Sequence, residues 1–280
     1  MNNLFKKDTS GYMNHLDKKI NLIDDELVKY NDIIHNLLHT KQTLLDQKQR
    51  LIHSISSYRF LNLILYNPST PHELEMKHIL SSYLKTQSHV IYYFITYRIQ
   101  EMDIIVEDDI IYIQGEESLL PGVLDKTIRA LEYCYQHIEF TNMIRSNIST
   151  IINFTQLVRE DLTQGYRGRP TYYLSWTDPI SGIHDDKLFG TYFHQGTCIV
   201  LHKKAVQLLI ENKSSIRMDI VDDVSLGEFF SHYPELRGEP FSSYLINEDD
   251  GGNSLIYRNK SEDRLIDIER MKSIISKINS

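Results

Sequence analysis

Cysteine, tryptophan and long apolar runs are what this 280-residue chain has least of. The two cysteines, Cys134 and Cys198, form no C-x-x-C pair and no metal-ligand spacing. A disulfide scaffold and a zinc site are therefore not expected, and both read as reduced, buried thiols. No window approaches the apolar run of a membrane span. The start, M-N-N-L-F-K-K-D-T-S-G-Y, has no apolar targeting core. The expectation is a soluble protein of a reducing, cytoplasmic compartment, with the sequons at Asn147, Asn153, Asn212 and Asn259 accidental. Basic residues are also in deficit, 30 against 38 acidic, for a net charge of -8. That balance offers no broad attraction to nucleic acid or anionic lipid. The histidines, His184, His194, His202 and His232 among them, show no H-x-x-x-H or H-E-x-x-H spacing, so none is expected to bind metal.

Proline and glycine are missing altogether between Tyr12 and Tyr58. A heptad fills that stretch. With Met13 at position a, the a and d residues are Met13, Leu16, Ile20, Ile23, Leu27, Tyr30, Ile34, Leu37, Lys41, Leu44, Lys48, Leu51 and Ile55. The pattern predicts a coiled-coil helix about 65 Å long. Lysine at two a positions favours two strands, where the ammonium reaches water. A second stripe, Leu38, Leu45 and Ile52, widens the apolar face. Folding back on the same chain is the alternative, since heptads also occur in bundles. Self-association, as a dimer, is the expectation, with an oligomerising segment at 1–57 and a second domain at 58–280.

From Phe60 the pattern becomes one of strands and helices in alternation. F-L-N-L-I-L-Y and V-I-Y-Y-F-I-T-Y (90–97) read as buried strands around a helix at 72–85. Two short segments split by Asp108-Asp109 follow. Pro121 is expected to open a helix running to about His137, before a strand at 140–147 and a helix at 154–162. A loop at 165–182 carries Tyr172, Tyr173 and Trp176, aromatics suited to a sugar face or to anchoring the loop. Then come a strand near 197–201, a helix at 203–212, a loop at 247–253 and a last helix at 262–279. Such alternation predicts an α/β fold, a mainly parallel sheet flanked by helices, with ligands at the carboxyl ends of strands. Those ends are the Asn67 loop, Arg145–Ser149 and the turns beyond Gly115.

In I-V-D-D-V-S-L-G (220–227), Asp222 and Asp223 sit between apolar flanks. Carboxylates so held serve either as a general base or as the cap of a helix beginning near Val224; the two roles are compatible.

The order of four segments resembles nucleotide-sugar-dependent glycosyltransferases of the GT-A fold. They are G-E-E-S-L-L-P-G-V-L-D-K-T (115–127), a strand ending I-R-S-N-I-S-T, H-Q-G-T-C-I-V-L-H-K-K-A (194–205) and V-D-D-V-S-L-G. The resemblance is to Fringe and β-1,3-galactosyltransferase-like enzymes and to glycosyltransferase-like proteins of giant viruses; it covers residues 60 to about 270. It implies a Rossmann-related GT-A-like domain and a transferase moving a sugar, from a UDP-linked donor, to a glycan or protein hydroxyl with inversion. Asp223 takes the place of the catalytic base, with Asp222 beside it. Lys126, Arg145, Ser146, Asn147, Ser149, Gly196, Arg258 and Lys260 become the nucleotide-sugar contacts. Where relatives carry the DxD metal motif, this chain has Ser146, Asn147, Ile148 and Ser149. A divalent Mn²⁺ or Mg²⁺ is thus left open, Asn147 being its one candidate ligand, and Arg145, Arg258, Lys260 and Arg264 offer an alternative charge for the leaving diphosphate. A host-cytoplasmic or virion location would follow from a viral origin. The competing reading is a catalytically silent module that binds a nucleotide sugar or glycan on a coiled-coil scaffold.

Overall fold

The computed structural model describes residues 5–56, 59–163 and 165–280; within the first helix, side chains are described for 11–45. The chain divides into two units, broken between Ser56 and Ser57. The first is a single helix, α1 (Phe5–Ser56), as expected from a stretch with no interior breaker except Gly11. All its side chains from 11 to 45 face solvent, including the heptad residues from Met13 to Leu44. Lys48, Leu51, Ile52 and Ile55 lie outside the described side chains, and residues 57 and 58, at the expected domain boundary, outside the described residues.

The second unit is built on β1 (Phe60–Leu65), followed by α2 (Pro71–Leu84) and β2 (Val90–Arg98). A hairpin of β3 (Ile104–Glu107) and β4 (Ile110–Gln114) leads into α3 (Gly122–His137) and β5 (Asn142–Asn147). Then come β6 (Thr150–Ile152), α4 (Phe154–Leu157), β7 (Tyr166–Gly168), β8 (Thr171–Tyr173) and β9 (Tyr192–His194). β10 (Cys198–His202), α5 (Lys203–Glu211) and α6 (Asp222–Ser231) follow, then β11 (Tyr244–Ile246), β12 (Ile256–Arg258) and α7 (Arg264–Ile278).

The main sheet has the order β3-β4-β2-β1-β5-β10-β7. β4, β2, β1 and β5 run parallel, and β3 and β10 oppose them. β1 is apolar at every position but Asn62 because both faces are covered. Phe60 and Ile64 join a core with Met76 and Leu80 of α2 and Ile268 and Met271 of α7. Leu61 and Leu63 join another with Ile128 of α3, Val206 of α5 and Phe229 of α6. Chain order reverses at β1, whose neighbours are β2 on one side and β5 on the other, and this reversal leaves a crevice at the strands' carboxyl ends.

Several expectations need correction. The helix at 154–162 is a single turn, ending at Leu157. The loop at 165–182 contains β7 and β8; β7 joins the sheet edge and β8 pairs with β9. Pro121 takes the N-cap position, one residue outside α3.

Candidate active site

The crevice between β1 and β5 opens into a cleft of about 460 Å³. Tyr66 and Asn67 extend β1 into it, and Asn147, Ile148 and Ser149 extend β5; the two strands are in register, Leu65 opposite Asn147. The loop after β4 adds Glu117 and Ser118, α3 adds Lys126, and α2 adds Glu73 from its first turn. Arg258, closing β12, and Arg264, opening α7, line the cleft as well.

These charges are not equivalent. Lys126 is 3% exposed, and its ammonium bonds Glu117 at 2.7 and 2.9 Å. Burial pushes its pKa down, and Glu117 opposes the shift. Arg264 is tied to the fully buried Asp267 at 2.7 Å. Arg258 has no carboxylate partner among the described residues; its guanidinium donates to the Thr150 hydroxyl at 3.3 Å. Desolvation and the positive charge of Arg145 lower its pKa to about 10, so it stays cationic at neutral pH. Glu73 is held above the usual carboxylate range by burial, with Arg264 opposing. Four buried polar atoms at this end lack a partner among the described residues: Glu73 Oε2, Arg145 Nε, Ser149 Oγ and Asn259 Oδ1. Ser149 is 1% exposed and borders the cleft. Buried groups of this kind are costly unless something bonds them. An uncompensated guanidinium and a free hydroxyl on one wall suit a phosphate-bearing ligand.

Arg145 connects this cleft to the acidic doublet. Its side chain lies on the β5 face that looks toward α6, where one guanidinium nitrogen pairs with Asp222 and the other donates to Asn147 Oδ1 at 3.3 Å. Neither aspartate caps the helix, which corrects the capping expectation. Val221 is the N-cap, and Asp222 and Asp223 occupy the first turn, where the helix dipole favours negative charge. Asp223 accepts the Gly196 N–H at 3.1 Å and the Val224 N–H at 2.9 Å. Desolvation and then the neighbouring Asp222 push its pKa up to about 6, against the opposing influence of the Gly196 N–H and Arg145. Asp223 is thus a partly exposed carboxylate poised close to neutrality, as a general base requires. A Cβ at Gly196 would overlap the Arg145 guanidinium, so a side chain there requires Arg145 to move.

Of the residues singled out in the sequence, Lys126, Asn147, Ser149 and Arg258 line the cleft, and Arg145, Asp222, Asp223 and Gly196 form the network beside it. Ser146 points to the opposite side of the sheet, its hydroxyl donating to Asn62 at 3.0 Å. Lys260 is exposed and lies outside the cleft lining; its backbone closes a loop with Asn247. Glu73 and the Glu117–Lys126 pair were not legible, because nothing in the spacing ties residues 73, 117 and 126 together. The end of β5 does not fit a divalent ion. Ser146 is turned away, Asn147 is bonded to Arg145, Ile148 is apolar, and hard cations favour charged oxygens. Among the described residues no group of three or more His, Cys, Asp or Glu is placed to hold a metal.

Neither protein-family models nor curated proteins match the chain. Among solved structures it is similar to a glycosyltransferase involved in the glycosylation of the major capsid of PBCV-1. Identity there is 11% over 76% of this chain and 98% of that one, with a TM-score of 0.42. It is also similar to the inositol-1-phosphate CTP transferase from T. maritima, at 14% identity over 80% of this chain and 97% of that one, TM-score 0.44. A third is the glycosyltransferase GlyE of Streptococcus pneumoniae TIGR4, at 13% over 79% of this chain and 62% of that one, TM-score 0.40. Likeness this distant carries over no residue's role, and the chemistry of the site rests on the side chains themselves.

Proposed function

We propose that residues 58–280 form a GT-A-like glycosyltransferase domain that moves a sugar from a nucleoside-diphosphate donor, UDP-linked, to a hydroxyl acceptor with inversion. The observation that carries this reading is the Arg145 bridge. One buried guanidinium holds both Asn147 of the cleft and Asp222 of the doublet, so a phosphate-suited cleft and a carboxylate with a pKa near 6 share one strand end.

In the reaction, Asp223 takes the proton of the acceptor hydroxyl as its oxygen attacks the anomeric carbon. The bond from that carbon to the diphosphate breaks on the opposite side, and the diphosphate leaves with the electron pair. Arg258 and Arg264, with Lys126 behind them, offset the developing negative charge, and Ser149 supplies a hydroxyl donor. Asp222, held by Arg145, keeps the first turn of α6 in place. No metal ion enters this scheme.

Asp223→Asn keeps the shape and removes the base. Transfer should fall by about 10²–10⁴-fold, the usual worth of general base catalysis, while UDP still raises the melting temperature as it does for wild type. Unchanged turnover would remove Asp223 from the mechanism. Activity should also persist in EDTA; strict dependence on Mn²⁺ would reject the guanidinium-based account. UDP-sugar binding with neither transfer nor hydrolysis would establish the silent-module reading instead.

A further inference from the structure

β8 and β9 pair so that Tyr172 faces the same way as Phe193, and Thr171, Tyr173, Tyr192 and His194 face the other way. Phe193 is buried and backed by α6: a Cβ at Gly227 would overlap both Phe193 Cβ and the Tyr192 carbonyl. Tyr172 and Trp176 rest on Phe193, with ring centroids 5.8 and 6.1 Å from it, and stand perpendicular to each other at 6.3 Å. Leu174, between them in sequence, is fully buried and pins the segment. Their outer faces nevertheless remain open, at 42% and 43% exposure. Two large aromatics fixed in place yet left in water point to a ligand surface.

The neighbours say where this surface lies. The Tyr244 hydroxyl lies near the Thr197 side chain and feels both Tyr172 and Arg258, and burial pushes its pKa up. Thr197 follows Gly196, whose N–H binds Asp223. Tyr172 is thus joined through Tyr244 to Arg258 of the cleft, and through Thr197 to the turn whose Gly196 N–H meets Asp223. The segment Pro170–Thr177 carries no charge, and the hydroxyls of Thr171 and Tyr173 on its other face are already bonded, to His194 and Arg237. A neutral polyol complements that surface better than a charged peptide does.

We propose that Tyr172 and Trp176 form the seat of an acceptor saccharide, whose C–H face stacks on the rings while a hydroxyl reaches Asp223. This inference rests on the transferase reading of the cleft. Trp176 is the only tryptophan in the chain, so its emission reports on the seat directly. The full-length protein is titrated with methyl glycosides of galactose, glucose, mannose and N-acetylglucosamine, and separately with UDP and a serine-containing peptide. At least one glycoside should shift the emission saturably. Tyr172→Leu, which keeps the packing on Phe193 but removes the π face, should raise the half-saturating concentration about tenfold and leave the UDP melting shift unchanged. No response to any glycoside up to its solubility, or an unchanged affinity in Tyr172→Leu, overturns the seat. So does a response to the peptide alone. Glycoside binding in a protein that transfers nothing from any nucleotide sugar supports the seat and rejects the transferase; transfer without any response of Trp176 does the reverse.

Discussion

At the scale of single residues, the site is a set of opposed charges whose titrations can be separated. His194 is fully buried, its Nδ1 2.9 Å from the Thr171 hydroxyl and its Nε2 without a partner among the described residues; burial lowers its pKa to about 3 from 6.5. Between those values the unfolded chain binds a proton that the folded chain does not, so this group makes stability fall as pH drops through the window. Asp223 acts in the opposite sense. Its folded pKa of about 6 lies above the ordinary 3.8, so the folded chain holds the extra proton between them and stability falls as pH rises through that range. The two partly cancel in wild type. Asp223→Asn removes one side of the balance, and urea unfolding should show a steeper loss of stability on acidification from pH 6 to 4 than in wild type. A parallel slope would mean that Asp223 titrates normally in the folded state. In the same window, transfer activity should decline below about pH 6 as Asp223 takes its proton.

Among secondary elements, the hinge of the site is the meeting of β5, the turn before β10 and α6. Gly196 lies in that turn with Arg145 on one side and Asp223 bonded to its N–H. Gly196→Ala should force Arg145 off Asp222, leaving a buried charge pair broken, a change worth about 3–5 kcal/mol when such pairs lose a partner. A fall in melting temperature of only a degree or two would show that the turn moves aside at little cost. How well elements could be read from the sequence follows their length and burial. β1 and β2 were plain from their nearly continuous apolar and aromatic runs, whereas β5, N-M-I-R-S-N, is a buried strand in which only Met143 and Ile144 are apolar. β6, β7, β8, β9, β11 and β12 span three residues each, too few for a period to appear. The aspartate doublet was legible from its apolar flanks, but its place in the helix was not: capping depends on the backbone of Val221, which no side-chain pattern reports. The basic residues divided the same way. Arg258 reaches the cleft because its strand ends there, and Lys260, two residues on, has left the sheet.

For the molecule as a whole, the apolar stripe of α1 is exposed throughout its described side chains, and a helix polar on one face and apolar on the other needs a partner for the second. A second copy of the chain is the partner we propose, as a two-stranded coiled coil. Leu27→Asp with Ile34→Asp, two a positions in the exposed stripe, should convert a dimer to a monomer in light scattering without lowering the activity per chain. A wild-type monomer would refute the assignment. The cleft, for its part, draws its wall from residues 65–67, 73, 117–119, 123, 126, 147–149, 258 and 264, close to the full span of the second unit. A nucleotide seated there would touch both ends of that unit's chain at once. Occupancy would therefore be felt as a clasp: amides in β1 and in α7, far apart in sequence, should slow their hydrogen exchange together.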